Sequence, residues 1–241
     1  MPVFVVPWLV RICVLIWLLP PHQAAAQEVA LADQTNVIET REVVVSATKT
    51  PVPVAQLTSA VEVITGEELE RKKIKMVIDA LRLAEGLFAT SSGGPGTEAS
   101  VKMRGAAAKH TMVLIDGVIV NSPTTGTYDF ANLTTENIDR IEIVRGAQSM
   151  LYGSDAMGGV INIFTKKGVD RFTSSAFVEY GSFASIREGV QASGAKGIFD
   201  FSASLSRWDT SSFSAINYRR GAYERDGFHN WQASGKLGIS L

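Results

Sequence analysis

From residue 172 onward, apolar and polar positions alternate along the chain. Phe172, Ala176, Val178 and Tyr180 share one parity, with Thr173, Ser175 and Glu179 on the other. Phe199, Phe201, Ala203 and Leu205 are set against Asp200, Ser202, Ser204 and Ser206 in the same way. The last stretch repeats the rule: Trp231, Ala233, Gly235, Leu237, Ile239 and Leu241 alternate with Gln232, Ser234, Lys236, Gly238 and Ser240. Successive side chains of a strand point to opposite faces, so a period of two predicts strands with one apolar and one polar face. With the weaker stretch from Ser185 to Gly194, about four such strands are predicted. Alternation alone fits a soluble β-sandwich or a transmembrane barrel whose apolar parity faces lipid. Tyr180, Trp208 and Trp231, near strand ends, resemble interfacial aromatics and favour the barrel.

Residues 59–168 follow a different pattern. Ala60 to Ile64 predicts a strand, and Thr65 followed by Glu68 a capping box that opens a short helix. Val77, Ala80, Leu81 and Ala84 recur at the helical period and predict a second helix, which Gly86 stops. The run from Ser91 to Thr97 is too rich in Ser and Gly for a core element and reads as an exposed loop. Apolar runs at Val101–Met103, Met112–Ile115, Val118–Val120, Ile138–Val144 and Val160–Phe164 predict further strands. Asp116-Gly117, between two of these runs, is a hairpin signal. Together they predict an α+β domain, a small mixed sheet with short helices against it.

Ahead of this domain, Val3 to Leu19 is apolar except for Arg11 and is followed by Pro20, Pro21 and the small residues Ala24, Ala25 and Ala26. That is the pattern of a cleaved export signal over residues 1–26. Cleavage removes Cys13, the only cysteine, so the mature chain has no disulfide or thiolate metal site. Residues 27–58 read as a flexible leader. Within it, Arg41, Glu42, Val43, Val44, Val45, Ser46 and Ala47 form a β-prone stretch, suited either to strand addition on another protein's sheet edge or to an ordinary edge strand.

Composition and chemistry narrow the function. A chain that is 46% hydrophobic and 20% charged, with 21 Gly, is not a disordered polyelectrolyte. With 24 acidic and 23 basic residues it has no excess charge to attract nucleic acid. The Gly93–Gly105 region lacks the Gly-Lys-Ser/Thr ending of a phosphate loop, and Gly153-Ser154-Asp155 lacks the spacing of a nucleophile elbow. His22, His110 and His229 have no metal-ligand spacing. No catalytic residues are assigned.

Five motifs in order carry a resemblance. They are the Arg41–Ala47 stretch, Met103-Arg104-Gly105, Val113–Val118, Ile141–Gly146 and Leu151–Ile163. Together they resemble the energy-coupling box and plug domain of TonB-dependent outer-membrane receptors, with a flavour of the vitamin B12 (cobalamin) branch in Tyr152–Gly159. The resemblance implies a plug at residues 59–168 and a partial β-barrel at 169–241. It implies uptake of a large scarce nutrient across the outer membrane, with siderophore or haem as alternatives to cobalamin, and with Arg41–Ala47 as the segment that TonB engages. An exported plug-like binding or interaction module is the reading outside transport. Ligand contacts are expected from Ser92, Gly94, Pro95 and Thr97 in one loop and Asn121, Ser122, Thr124, Thr125 and Tyr128 in another. Arg104, Glu142 and Arg145 are assigned to plug–barrel or internal plug ion pairs, because an unpaired charge inside a filled lumen is costly. Asp209 and Asp226 are the only candidates for calcium, and two separated carboxylates fall short of a site. The complete receptor is expected to be a monomer surrounded by outer-membrane lipid.

Length completes the expectation. Residues 169–241 are too few for even eight strands of roughly 9–11 residues with their turns, and a receptor of the resembled family has about 22 strands. The chain is therefore expected to be the N-terminal part of a receptor, unable to transport by itself and, if not inserted, left in the periplasm.

Overall fold

The computed structural model describes residues 43–44, 46–53, 56–57, 59–168, 171–211 and 226–239. The predicted export signal lies outside the described residues, as do Arg41, Glu42 and Val45.

Two short strands begin the described chain, β1 (Val43–Val44) and β2 (Val52–Pro53), paired antiparallel. Then come β3 (Ala60–Thr65), α1 (Gly66–Arg71), α2 (Val77–Leu83), β4 (Leu87–Ser91), β5 (Ala99–Met103), β6 (Thr111–Ile115) and β7 (Val118–Ile119). β8 (Ile138–Arg145), α3 (Ser149–Tyr152) and β9 (Gly159–Thr165) complete this part. The main sheet has the order β3-β8-β9-β6-β7; its β6–β9 pair is parallel and the other pairs antiparallel. β4 and β5 form a separate hairpin.

Local signals account for several of these elements. Thr65 caps α1, its hydroxyl accepting from the Glu68 N–H at 3.2 Å, an interaction of about 1 kcal/mol. The Glu68 carboxylate turns outward to Lys72 instead of closing the reciprocal half of the box. Asp116 (φ 50°) and Gly117 (φ 83°) both have positive φ, the turn geometry that joins β6 to β7 without splaying the strands.

The main sheet is covered on both faces, which explains why its strands read as unbroken apolar runs rather than alternating ones. On one face Ile64, Val113, Ile141, Ile143, Ile161 and Ile163 pack with Leu69 of α1 and Val77, Ala80 and Leu81 of α2. On the other, Met112, Leu114, Val144 and Val160 pack with Ala47 and Ala156. This second face also holds two buried polar side chains, Glu142 and Asn162, directly opposite each other in the β8–β9 pair.

The remaining strands, β10 (Thr173–Gly181), β11 (Ser185–Lys196), β12 (Phe199–Thr210) and β13 (Phe228–Ile239), form one antiparallel meander in sequence order. Its β10 and β13 edges are unpaired among the described residues. The apolar parity points away from the plug-like domain: Val178, Tyr180, Phe199, Phe201, Leu205, Trp231, Leu237 and Ile239 are all exposed. The polar parity faces the domain. Trp208 departs from its sequence reading as an interfacial aromatic, because it shares the inward parity of Ser204 and Ser206 and packs against the main core. The connection into this sheet is tight at Gly168, where an added Cβ would run into the carbonyl oxygens of Gly194 and Phe201.

Candidate functional site

The β-prone N-terminal segment enters the domain at Ser46, which is fully buried together with Glu142. The Ser46 N–H donates to Glu142 Oε2 at 2.8 Å and its hydroxyl to the same oxygen at 2.6 Å. Asn162 Nδ2 donates to Ser46 Oγ at 3.0 Å, and the Tyr152 hydroxyl donates to the Ser46 carbonyl at 2.9 Å. Every polar group of Ser46 is thus held. Arg140 Nε donates to the other oxygen of Glu142 at 2.9 Å, and its guanidinium lies over the Phe164 ring at 4.0 Å from the centroid. Burial, followed by the Glu142 charge, pushes the Tyr152 hydroxyl above its ordinary pKa, so it remains a donor at neutral pH. The sequence places Ser46 in a flexible leader, whereas the structure buries Ser46 and Ala47 against the domain. Among the described residues of the segment, Val43 and Val44 pair with Pro53 and Val52.

The three charged residues singled out from sequence have different surroundings. Glu142 pairs with Arg140, and Arg145 Nη1 pairs with Glu62 at 2.9 Å while also donating to the Glu85 carbonyl. Both sets of contacts lie inside the domain, the internal alternative of the sequence reading. Arg104 (φ 48°) makes no ion pair among the described residues; its backbone N–H donates to the Gly86 carbonyl. The ion pairs that reach the meander involve other residues. Arg187 bridges Glu136 at 2.7 Å and Glu179 at 3.0 Å, Lys75 reaches Glu179 at 3.0 Å, and Lys236 reaches Asp116 at 2.8 Å. Gln232 accepts from Thr134, Asn137 donates to Ser234, Ser202 to the Lys166 carbonyl and Asn230 to the Asn132 carbonyl. The polar parity read from the sequence includes Glu179, Ser202, Gln232, Ser234 and Lys236 but not Arg187 or Asn230; the plug partners lie largely in loops where the sequence has no period to read.

The predicted ligand loops lie at neighbouring positions. The first spans β4 to β5, the second follows β7, and Asp129 links them by accepting from the Ala99 N–H at 2.9 Å. Much of their polar chemistry is spent on their own shape. Thr97 donates to the Gly94 carbonyl. Asn121 uses its whole amide, accepting from Val113 and donating to Thr111 and Gly126. The Ser122 hydroxyl accepts from the Thr124 and Thr125 N–H groups, and Thr125 bonds Thr127. Ser92, Pro95, Thr124 and Thr125 are exposed. Tyr128 stands edge-on to Phe130 at 4.8 Å; burial, then the Asp129 charge, raises its hydroxyl pKa. A cavity of about 260 Å³ lies beside the first loop, walled by Gly94, Pro95, Thr97, Arg82 and Trp208.

Of the two carboxylates suggested for calcium, the structure shows the partners of Asp209. Asp209 is engaged by Arg207 and His229, a guanidinium supplying the positive charge that a cation would bring. Among the described residues no three His, Cys, Asp or Glu side chains gather as a metal site.

Comparison with known proteins agrees with this architecture. Residues 53–160 match the TonB-dependent Receptor Plug Domain. The chain is similar to the Vitamin B12 transporter BtuB of Photobacterium profundum, 38% identical over 122 residues that cover 51% of this chain and 20% of that protein. It is also similar to the Vitamin B12 transporter BtuB of Vibrio vulnificus, 37% identical over 175 residues, 73% of this chain and 26% of that protein. The chain thus spans about a quarter or less of the length of these relatives. Among solved structures, the siderophore receptor PirA from Acinetobacter baumannii superposes with a TM-score of 0.60 and 29% identity, covering 75% of this chain and 29% of that one. A plug is a transport module, not a catalytic one. With a two-faced plug sheet, a polar seam and a meander whose apolar parity points outward, the chain carries a TonB-dependent receptor plug domain at residues 53–160.

Proposed function

We propose that this chain serves TonB-dependent uptake of cobalamin. The observation that carries the substrate is the 37–38% identity to two Vitamin B12 transporters over the plug and its flanks. In this reading the loops bearing Ser92, Gly94, Pro95 and Thr97 and Asn121, Ser122, Thr124, Thr125 and Tyr128 face the ligand. Most of their side-chain hydrogen bonds are internal, so exposed hydroxyls and backbone amides would meet an amide-rich corrinoid. Arg41–Ala47 is the segment that TonB recruits, its backbone adding as a strand to a sheet edge of that partner. Ser46 holds this segment to the plug, so recruitment competes with the Glu142, Asn162 and Tyr152 contacts. A ferric siderophore is the second reading, favoured by the likeness to PirA.

Titration of the purified chain in detergent with cyanocobalamin, with haem and with a ferric catecholate tests the substrate. Saturable binding of cyanocobalamin alone is expected, and preference for the iron chelate overturns the assignment. For the partner, capture by the periplasmic domain of TonB is expected to be lost in Val44→Pro, which removes a backbone N–H from the segment. Undiminished capture by that variant rules out strand addition there.

A further inference from the structure

Beside the polar contacts between plug and barrel strands, an apolar one lies next to the first predicted ligand loop. Trp208 of β12 packs against the plug's main core, and Phe228 of β13, 6% exposed, stands edge-on to it with ring centroids 5.3 Å apart. Lys75 of the plug sits over the Trp208 ring, 5.8 Å from its centroid. The loop between β4 and β5 rests on this pair. A Cβ added at Gly96 would come within 2.5 Å of Phe228 Cδ2 and 2.7 Å of Cε2, and Gly96 has φ 83°, a conformation that side chains disfavour. The loop main chain therefore lies flat on a barrel side chain at a position that only glycine fills without displacement. Its own bracing consists of hydrogen bonds at its two ends: the Ser92 N–H donates to the Glu98 carbonyl, Gly94 accepts from Thr97 and Gly93 accepts from the Ser91 hydroxyl, while Gly96 itself is held by none of them.

We propose that Phe228 and Trp208 are positioning residues for the Gly93–Thr97 loop, setting the shape of the plug's ligand-facing surface from the barrel wall. The ligand-facing part rests on the proposed function; the positioning itself rests only on the contacts above. A rigid aromatic ledge fixes a glycine-rich segment that cannot fix itself, because Gly93, Gly94 and Gly96 bring the largest backbone freedom of any residue. Barrel strands thereby reach this loop through the uncharged Phe228–Gly96 contact, which salt does not screen.

The test is amide hydrogen exchange on the full chain in detergent micelles, read at Ser92 and Thr97. Phe228→Ala is expected to speed exchange at both amides by about tenfold, while amides inside β4 and β5 keep their wild-type rates. Phe228→Tyr, which keeps the ring, is expected to leave all of them unchanged. If Phe228→Ala does not fold, Gly96→Ala breaks the same contact from the plug side and is expected to loosen the same two amides. Wild-type exchange in either folded alanine variant overturns the proposal, as does equal acceleration in Phe228→Tyr. Cyanocobalamin affinity, measured in parallel, is expected to fall in Phe228→Ala and recover in Phe228→Tyr. A wild-type chain that binds no cyanocobalamin overturns the substrate assignment alone, because the exchange rates decide the positioning separately.

Discussion

Inside the plug, Leu69, Val77, Leu81, Ile141, Ile143, Ile161 and Ile163 meet one another with almost no exposed surface. Across the seam to β10–β13, the same domain meets its neighbour through Arg187, Lys75, Lys236, Gln232, Ser202 and Ser234. The two regions answer different demands. A core of branched aliphatic side chains gains from every area removed from water and resists any rearrangement. A seam of hydrogen bonds and ion pairs gains little net energy per contact, since water offers nearly equivalent partners. Its members can therefore exchange partners one at a time. The domain is held together by packing, whereas its contact with β10–β13 includes many separable polar interactions.

The sharpest way to break this contrast lies at Glu142, the buried charge of the second sheet face. Glu142→Ala leaves Arg140 with Asp139 as its partner and removes the buried acceptor of two Ser46 bonds, and a loss of roughly 3–5 kcal/mol is expected by denaturant titration. An unchanged midpoint would mean that this face is not part of the cooperative core. Leu81→Ala, in the first face, is expected to cost about 2–5 kcal/mol. Arg187→Ala should cost less, about 1–3 kcal/mol, and its effect should shrink in high salt, whereas that of Leu81→Ala should not. Equal costs for the two, both indifferent to salt, would erase the distinction between core and seam.

The smallest effect is in pH. Burial tends to raise the Asp116 pKa, but hydrogen bonds from Lys236 and Thr165 and the Lys236 charge outweigh it and hold the carboxyl below its ordinary 3.8. At mildly acid pH the unfolded chain therefore binds more protons here than the folded chain, and stability falls as pH falls. The contribution is complete above the ordinary value and is withdrawn as pH drops through the depressed one. Thermal melts between neutral pH and pH 3 should show this slope, and Asp116→Asn should flatten it.

Much of this division was legible before the fold was seen. The period of two in Phe199–Ser206 and Trp231–Ser240 marks the strands and their inward polar parity, and Asp116-Gly117 marks the hairpin. Thr65 marks the start of α1. β4, Leu87–Ser91, escaped notice because it is short, follows a helix directly and finds its partner only across a glycine-rich loop. Ser46 and Glu142 are 96 positions apart, and nothing local in either motif announces the other. The same holds for Gly96 and Phe228. Trp208 was misread because an aromatic near a strand end was weighed by type; its parity with Ser204 and Ser206 carried the answer.

Gly168 makes one further point about inheritance. The backbone there runs so close to the carbonyls of Gly194 and Phe201 that any side chain collides with main chain, which cannot step aside as a side chain could. The position carries no side chain, and so neither charge nor reactive group, yet every missense change in its codon is expected to be rejected. In a saturation library selected for correctly assembled protein, residue 168 should tolerate fewer alternatives than the exposed polar residues Ser92, Thr124 and Thr125, and a functional screen alone would mistake it for a binding site.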